Sequence, residues 1–145
     1  MSEVQLFDET LLGWCAEQVG GTSLIDYSVD PRTPPWTSEA IEEVEAEEYR
    51  VSTDWRPVHR ARLWLYDDRS TCTAIVGGAD DGAVFAERAR ARIAGLNSSV
   101  VTADAVDGTR RNTTYEFAEK DIMVDVLEYR NMGGGVTVLG TVRKR

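Results

Sequence analysis

Residues 128–140 read EYRNMGGGVTVLG: three consecutive glycines between two runs rich in valine. A phosphate-binding glycine loop needs a strand before it and a helix after it, because backbone N–H groups and a helix N-terminus must point at the anion. Here the residues after Gly135 are VTVLGTV, β-branched at alternate positions, and only ten residues remain. No helix fits there while that period of two holds. Gly133, Gly134 and Gly135 are therefore expected to relax the backbone at a hairpin tip, where positive φ favours glycine.

Working outward, the preceding segments carry the same period. VVTADAV leads into Asp107-Gly108, a strong hairpin signal, and RRNTTYEF returns with Tyr115 and Phe117 on one face. Upstream, Ala61, Leu63 and Leu65 alternate with Arg60, Arg62, Trp64 and Tyr66, and TCTAIVG follows a polar turn at residues 67–70. Between these β regions DDGAVFAERARARIAGL reads as a helix. Phe85, Ala89, Ile93 and Leu96 form its apolar stripe, and Asp80 or Asp81 is placed to cap it. A first helix is predicted over residues 3–18, with Leu6, Leu11, Trp14 and Cys15 on one face and Gly20-Gly21 as its stop. After a proline-bearing connector, a short acidic helix is predicted over residues 38–49, with Ile41 and Val44 as its apolar positions. The expectation is a single α+β domain over residues 1–145. It has a mainly antiparallel sheet of six or seven strands, an N-terminal helix, a short acidic helix and one central amphipathic helix.

Charge narrows the function. Net charge is −9, and residues 1–59 hold 13 acidic against 3 basic side chains, whereas residues 60–145 hold 12 against 13. An acidic surface repels nucleic-acid phosphate, so general nucleic-acid binding is not expected. Fourteen of the sixteen basic residues are arginine, a bias that suits a high-salt cytoplasm and equally a GC-rich genome. No apolar run reaches the roughly 20 residues needed to span a bilayer, and the first residues carry Glu3, Asp8 and Glu9 rather than the cations of a signal peptide.

Catalytic chemistry finds little support. Cys15 and Cys72 lack metal-ligand spacing and read as two buried free thiols. His59, the single histidine, has no neighbouring Ser, Cys or carboxylate. Asp67-Asp68 and Asp80-Asp81 are accounted for as turn and cap, so no metal, cofactor or catalytic residue is expected. The contrast between arginine-rich ERARAR and the glutamate-rich segment suggests contact between copies instead. Arg88, Arg90 and Arg92 of one copy would meet Glu42 and Glu45 of another, head to tail, with the Gly133–Gly135 tip reaching a neighbour.

The order of these parts resembles the tail terminator (tail-completion) proteins of long-tailed viruses. The residues that carry the resemblance are LFDETLLGWCAEQ, DPRTPPW, HRARLWLYDD with TCTAIVG, AVFAERARARIAGL, and TTYEF with DIMVDVLEYR. It implies a non-enzymatic virion protein that forms a hexameric ring at the head-proximal end of the tail tube and docks to neck or tail proteins. The acidic segment and the glycine-tipped final hairpin depart from the family's pattern. Two other classes remain open from the residues alone. One is a small ligand-binding or enzymatic domain with a pocket near Trp64 and Tyr66; the other is an acidic inhibitor of a basic partner.

Overall fold

The computed structural model describes residues 3–51, 60–79 and 81–145. Eight strands form one fully antiparallel sheet: β1 (Trp36–Ile41), β2 (Ala46–Val51), β3 (Arg60–Tyr66), β4 (Thr71–Ala79), β5 (Val100–Asp107), β6 (Arg110–Phe117), β7 (Ile122–Arg130) and β8 (Val136–Lys144). Their spatial order is β1-β2-β3-β4-β8-β7-β6-β5, so the hairpin of residues 128–140 supplies the middle of the sheet. Gly134 and Gly135 hold positive φ at its tip, as the strand pattern on both flanks demands. His59 and Asp80 lie outside the described residues.

The first helix runs without a break through three registers: α1 (Glu3–Asp8), a π-helical stretch (Glu9–Cys15) and α2 (Ala16–Gly20). Asp8 and Ala16 keep helical backbone angles at both junctions, and Gly21 with positive φ ends the rod. At the first junction the Thr10 hydroxyl donates to the Leu6 carbonyl over 2.7 Å, a back-bond that competes with the regular ladder. All seven residues of the π-helical stretch are buried. The sheet covers one side of this rod. The connector covers the other, with Leu24 N–H donating to the Leu12 carbonyl and Ser28 N–H to Glu9.

The rod and the central helix α3 (Gly82–Ala94) pack on the same face of β4, β8 and β7. Phe7 meets Phe85 edge to face with ring centroids 6.2 Å apart, and Trp14 meets Tyr49 at 5.4 Å. Phe85, Ala89 and Ile93 are buried as their stripe predicts. Asp81 precedes α3 but makes no side-chain capping bond. On the opposite sheet face the register lines up Ile75, Leu139 and Leu127, all half-buried, beside a polar ladder of Thr73, Thr141, Asp125 and Thr114.

Two sequence expectations are corrected. Residues 38–49 are not a helix: they form the β1–β2 hairpin around a tight turn at Glu42–Val44, with Glu45 at positive φ. This raises the sheet to eight strands and leaves two helical bodies. Glutamates three and four apart repel one another on a helix, and Ile41 and Val44 alone make no burying stripe. Pairing with β3 instead buries Ala46 and Tyr49 and sets Glu48 against Trp64. The second correction concerns the cysteines. Cys15 and Cys72 are joined in a disulfide across 57 residues of sequence, with Cα atoms 5.4 Å apart. The rod lands on β4 where the two side chains meet, a proximity that spacing along the chain does not encode.

Close approach at that landing depends on a glycine of the opening stretch. Gly140 of β8 lies under Leu11, and any β-carbon at 140 would overlap the Leu11 side chain, whose Cδ1 would be 2.9 Å away. Gly140→Ala is therefore expected to cost about 1–3 kcal/mol in denaturant unfolding. Adding Leu11→Ala should make the pair less destabilised than the sum of the two, and strict additivity would contradict the contact. Reducing the disulfide, or replacing both cysteines by alanine, should lower unfolding free energy by about 2–4 kcal/mol, since the closed loop is long. An unchanged denaturation midpoint would remove that role.

Candidate functional site

Two places concentrate polar chemistry. The first is a cleft of about 280 Å³ between the rod, the connector and α3, lined by Gln5, Asp8, Glu9, Ile25, Asp26, Arg88 and Arg92. Arg88 and Arg92 lie one turn apart on the exposed side of α3, as their i, i+4 spacing requires. Among the described residues neither makes an ion pair. Glu9 is fully engaged: one carboxylate oxygen accepts from Ser28 N–H at 2.7 Å, and the other accepts from Gln5 at 3.1 Å. Burial alone would raise the Glu9 carboxyl, but these bonds hold it below its ordinary range.

Asp8 is different. Its residue is 7 % exposed and its Oδ1 has no hydrogen-bond partner. Burial pushes its carboxyl above the usual range, offset in part by the Arg92 and Arg88 guanidinium groups. Asp8 lies beside Phe7 and three residues before Leu11, inside the buried face of the first helix. A charged residue in an apolar stripe is the signal that sequence reading passes over here.

Arg90 does not join its neighbours. It is buried, its Nε donates to Thr113 Oγ1 at 3.0 Å, and it pairs with Glu128 of β7. Thr113 in turn donates to Asp104, which Arg111 holds through two bonds at 3.0 and 3.1 Å. That chain ties α3 to β5, β6 and β7 within one molecule, so Arg90 is a structural anchor rather than an outward contact.

The second place is the two ends of the sheet. Asp67 N–H bonds to the Glu45 carbonyl, which joins the β1–β2 and β3–β4 turns at one corner. That corner presents Glu42, Glu43, Glu45, Asp67 and Asp68 against Arg69 and, beside Asp68, Lys144, all exposed. Val44 stands among these carboxylates, 39 % exposed. At the diagonal corner, Arg130 N–H bonds to the Thr109 carbonyl and brings the β5–β6 and β7–β8 tips together. A second cleft, of about 320 Å³, opens there; Val106, Tyr129 and Val136 supply its apolar walls, Arg110, Arg111 and Arg130 its positive charge, and Glu128, which pairs with Arg90, its one carboxylate among the described residues. Val106 is 71 % exposed, Met132 at the adjoining tip is fully exposed, and a β-carbon added at Gly133 or Gly134 would meet open space. Arg110 and Arg130 make no ion pair among the described residues, whereas Arg111 is held by Asp104.

The remaining sequence candidates separate. Glu42 and Glu45 sit at the acidic corner and Gly133–Gly135 at the basic one, while Arg88 and Arg92 face the first cleft. Trp64 and Tyr66 lie on the open sheet face, where Trp64 Nε1 donates to Glu48. Burial would raise Glu48, but bonds from Arg50 and Trp64 hold its carboxyl low. Among the described residues no group of three metal-ligating side chains occurs, and no helix is long and apolar enough to cross a membrane.

The Asp8 environment has a measurable consequence. The folded chain holds the Asp8 proton more tightly than the unfolded chain, so this contribution to stability is present below the unfolded value and lost as pH rises through the folded one. Asp8→Asn cannot titrate, and carboxylates held low elsewhere cancel between the two proteins. The melting temperature of Asp8→Asn minus that of the parent should increase from pH 3 to pH 7. A difference that shrinks would mean the arginines outweigh burial.

Comparison with family models, with curated protein sequences and with solved structures gives no match to this chain.

Proposed function

We propose that this protein is a structural assembly subunit of the tail-terminator kind. On this reading it acts without catalysis, through head-to-tail contact between copies and docking to neighbouring virion proteins. The observation that carries this reading is the diagonal complementarity of the sheet. An apolar knob ringed by carboxylates, Val44 among Glu42, Glu43 and Glu45, occupies one corner. An apolar cleft rimmed by Arg110, Arg111 and Arg130 occupies the opposite one.

Two different patches of opposite sign lie at opposite corners, so one copy can offer its acidic knob to the basic cleft of the next. They make a heterologous contact, which propagates from copy to copy and closes into a ring when the rotation permits. The exposed edge strand β5, with Val100 and Val101 uncovered beside Val106, adds a row of backbone groups open to a neighbour. The order of elements supplies the virion context. The Met132–Gly135 tip borders the basic cleft and is positioned to order against an incoming turn.

The contact surface differs from the one that the helical reading of residues 38–49 suggests. The acidic partner is a hairpin turn, and its counterpart is Arg110 and Arg130 rather than Arg88, Arg90 and Arg92. Light-scattering mass in solution tests the reading. The parent chain should form a closed ring of about six copies. Glu42→Lys with Glu45→Lys, or Arg110→Glu with Arg130→Glu, should each weaken association at least tenfold, and combining all four should restore it. A parent that stays monomeric at high concentration, or reversals that leave the mass unchanged, would refute the reading.

A further inference from the structure

We propose that the cleft between the rod, the connector and α3 is a binding site for a small zwitterion, a primary ammonium and a carboxylate joined by one or two carbons. This site has no part in the head-to-tail contact and stands independently of it.

The cleft is dipolar. Its rod and connector side carries Asp8, Glu9 and Asp26, and its α3 side carries Arg88 and Arg92. A simple anion would meet three carboxylates, and a simple cation would meet two guanidinium groups. A ligand with both charges satisfies both walls.

The free valences name the groups more closely. Glu9 already accepts from Ser28 and Gln5, whereas the Asp8 side chain, which lines the cleft, has a buried oxygen without a donor. An orphaned acceptor in a low-dielectric site gains most from a charged N–H donor. At the mouth, the exposed guanidinium groups of Arg88 and Arg92 offer a fork of donors suited to a carboxylate. The ligand's ammonium therefore lies against Asp8 and its carboxylate against the two arginines.

The polarity of the lining limits the body between these ends, and the cleft of about 280 Å³ has ample room for it. Among the described residues Ile25 is the one apolar residue of the lining, so the cleft has little to offer a long hydrocarbon side chain. A two- or three-carbon amino acid fits this description.

Ligand-observed saturation-transfer NMR on the full chain tests the assignment, with glycine and β-alanine as probes. Trimethylglycine keeps both charges but has no N–H, acetate lacks the cation, and ethylammonium lacks the anion. Glycine or β-alanine should bind saturably, and the three controls at least tenfold more weakly. Asp8→Asn and the surface pair Arg88→Gln with Arg92→Gln should each weaken binding at least tenfold. The arginine pair is exposed and keeps the fold. Glu42→Lys with Glu45→Lys should leave binding intact, which separates this site from the assembly contact. Absence of saturation means a cleft that holds only water, and the proposal falls. It falls equally if trimethylglycine binds as well as glycine, or if binding survives both sets of cleft variants.

Discussion

Everything else in the molecule hangs on how closely the first helix approaches the middle of the sheet. Leu11 reaches the β8 backbone because residue 140 has no side chain, and Cys15 bonds to Cys72 one turn further along. These two contacts set the height and direction of the rod. With the rod fixed, Phe7 meets Phe85 and so places α3 beside it. The connector can then close over the outer side, where Gly13 makes room for the Tyr27 ring. The first cleft is the seam left between these three pieces. A rod held further from the sheet would open Asp8 to water and remove the burial that makes it unusual.

Much of this was legible from the residues. The period of two marked the strands from residue 60 onward, Asp107-Gly108 marked one hairpin, and the flanks of the glycine run marked another. The Phe85–Leu96 stripe gave α3. The segment 38–49 misleads because the intrinsic propensity of glutamate favours helix despite the repulsion between neighbouring turns, while the reason for a strand is pairing with the edge of β3, which the segment alone does not show. The disulfide was illegible for the same kind of reason: 57 residues of sequence hide a Cα separation of 5.4 Å. Arg90 looked like its neighbours in ERARAR, yet the helical turn sends it inward to Glu128. At the basic corner, Arg110, Arg111 and Arg130 lie on two hairpins that only strand pairing brings together.

The charge imbalance between the two parts of the chain becomes geometric in the fold. The acidic β1–β2 turn and the basic β5–β6 tip belong to strands at opposite ends of the sheet order, and their turns point in opposite directions along the strands. Sequence asymmetry is thereby converted into a diagonal dipole across a rigid sheet. Such a body carries complementary charge at its two far corners, which is what a head-to-tail contact between copies would use. Exposed charges give direction to such a contact more than strength. The apolar groups Val44, Val106 and Tyr129 are what the contact can bury.

The arginines of α3 have another task. An unpartnered buried carboxylate such as Asp8 works against folding, and a neutral residue there would relieve the chain of it. Groups that cost stability in this way are concentrated at functional sites, where the missing partner comes from outside the chain. Arg88 and Arg92 temper the cost through space without closing the site, since neither reaches Asp8 as an ion pair. A closed pair would have satisfied the carboxylate and left nothing to recognise. The distance that keeps Asp8 from being a finished salt bridge is the same distance that gives the cleft room for a ligand.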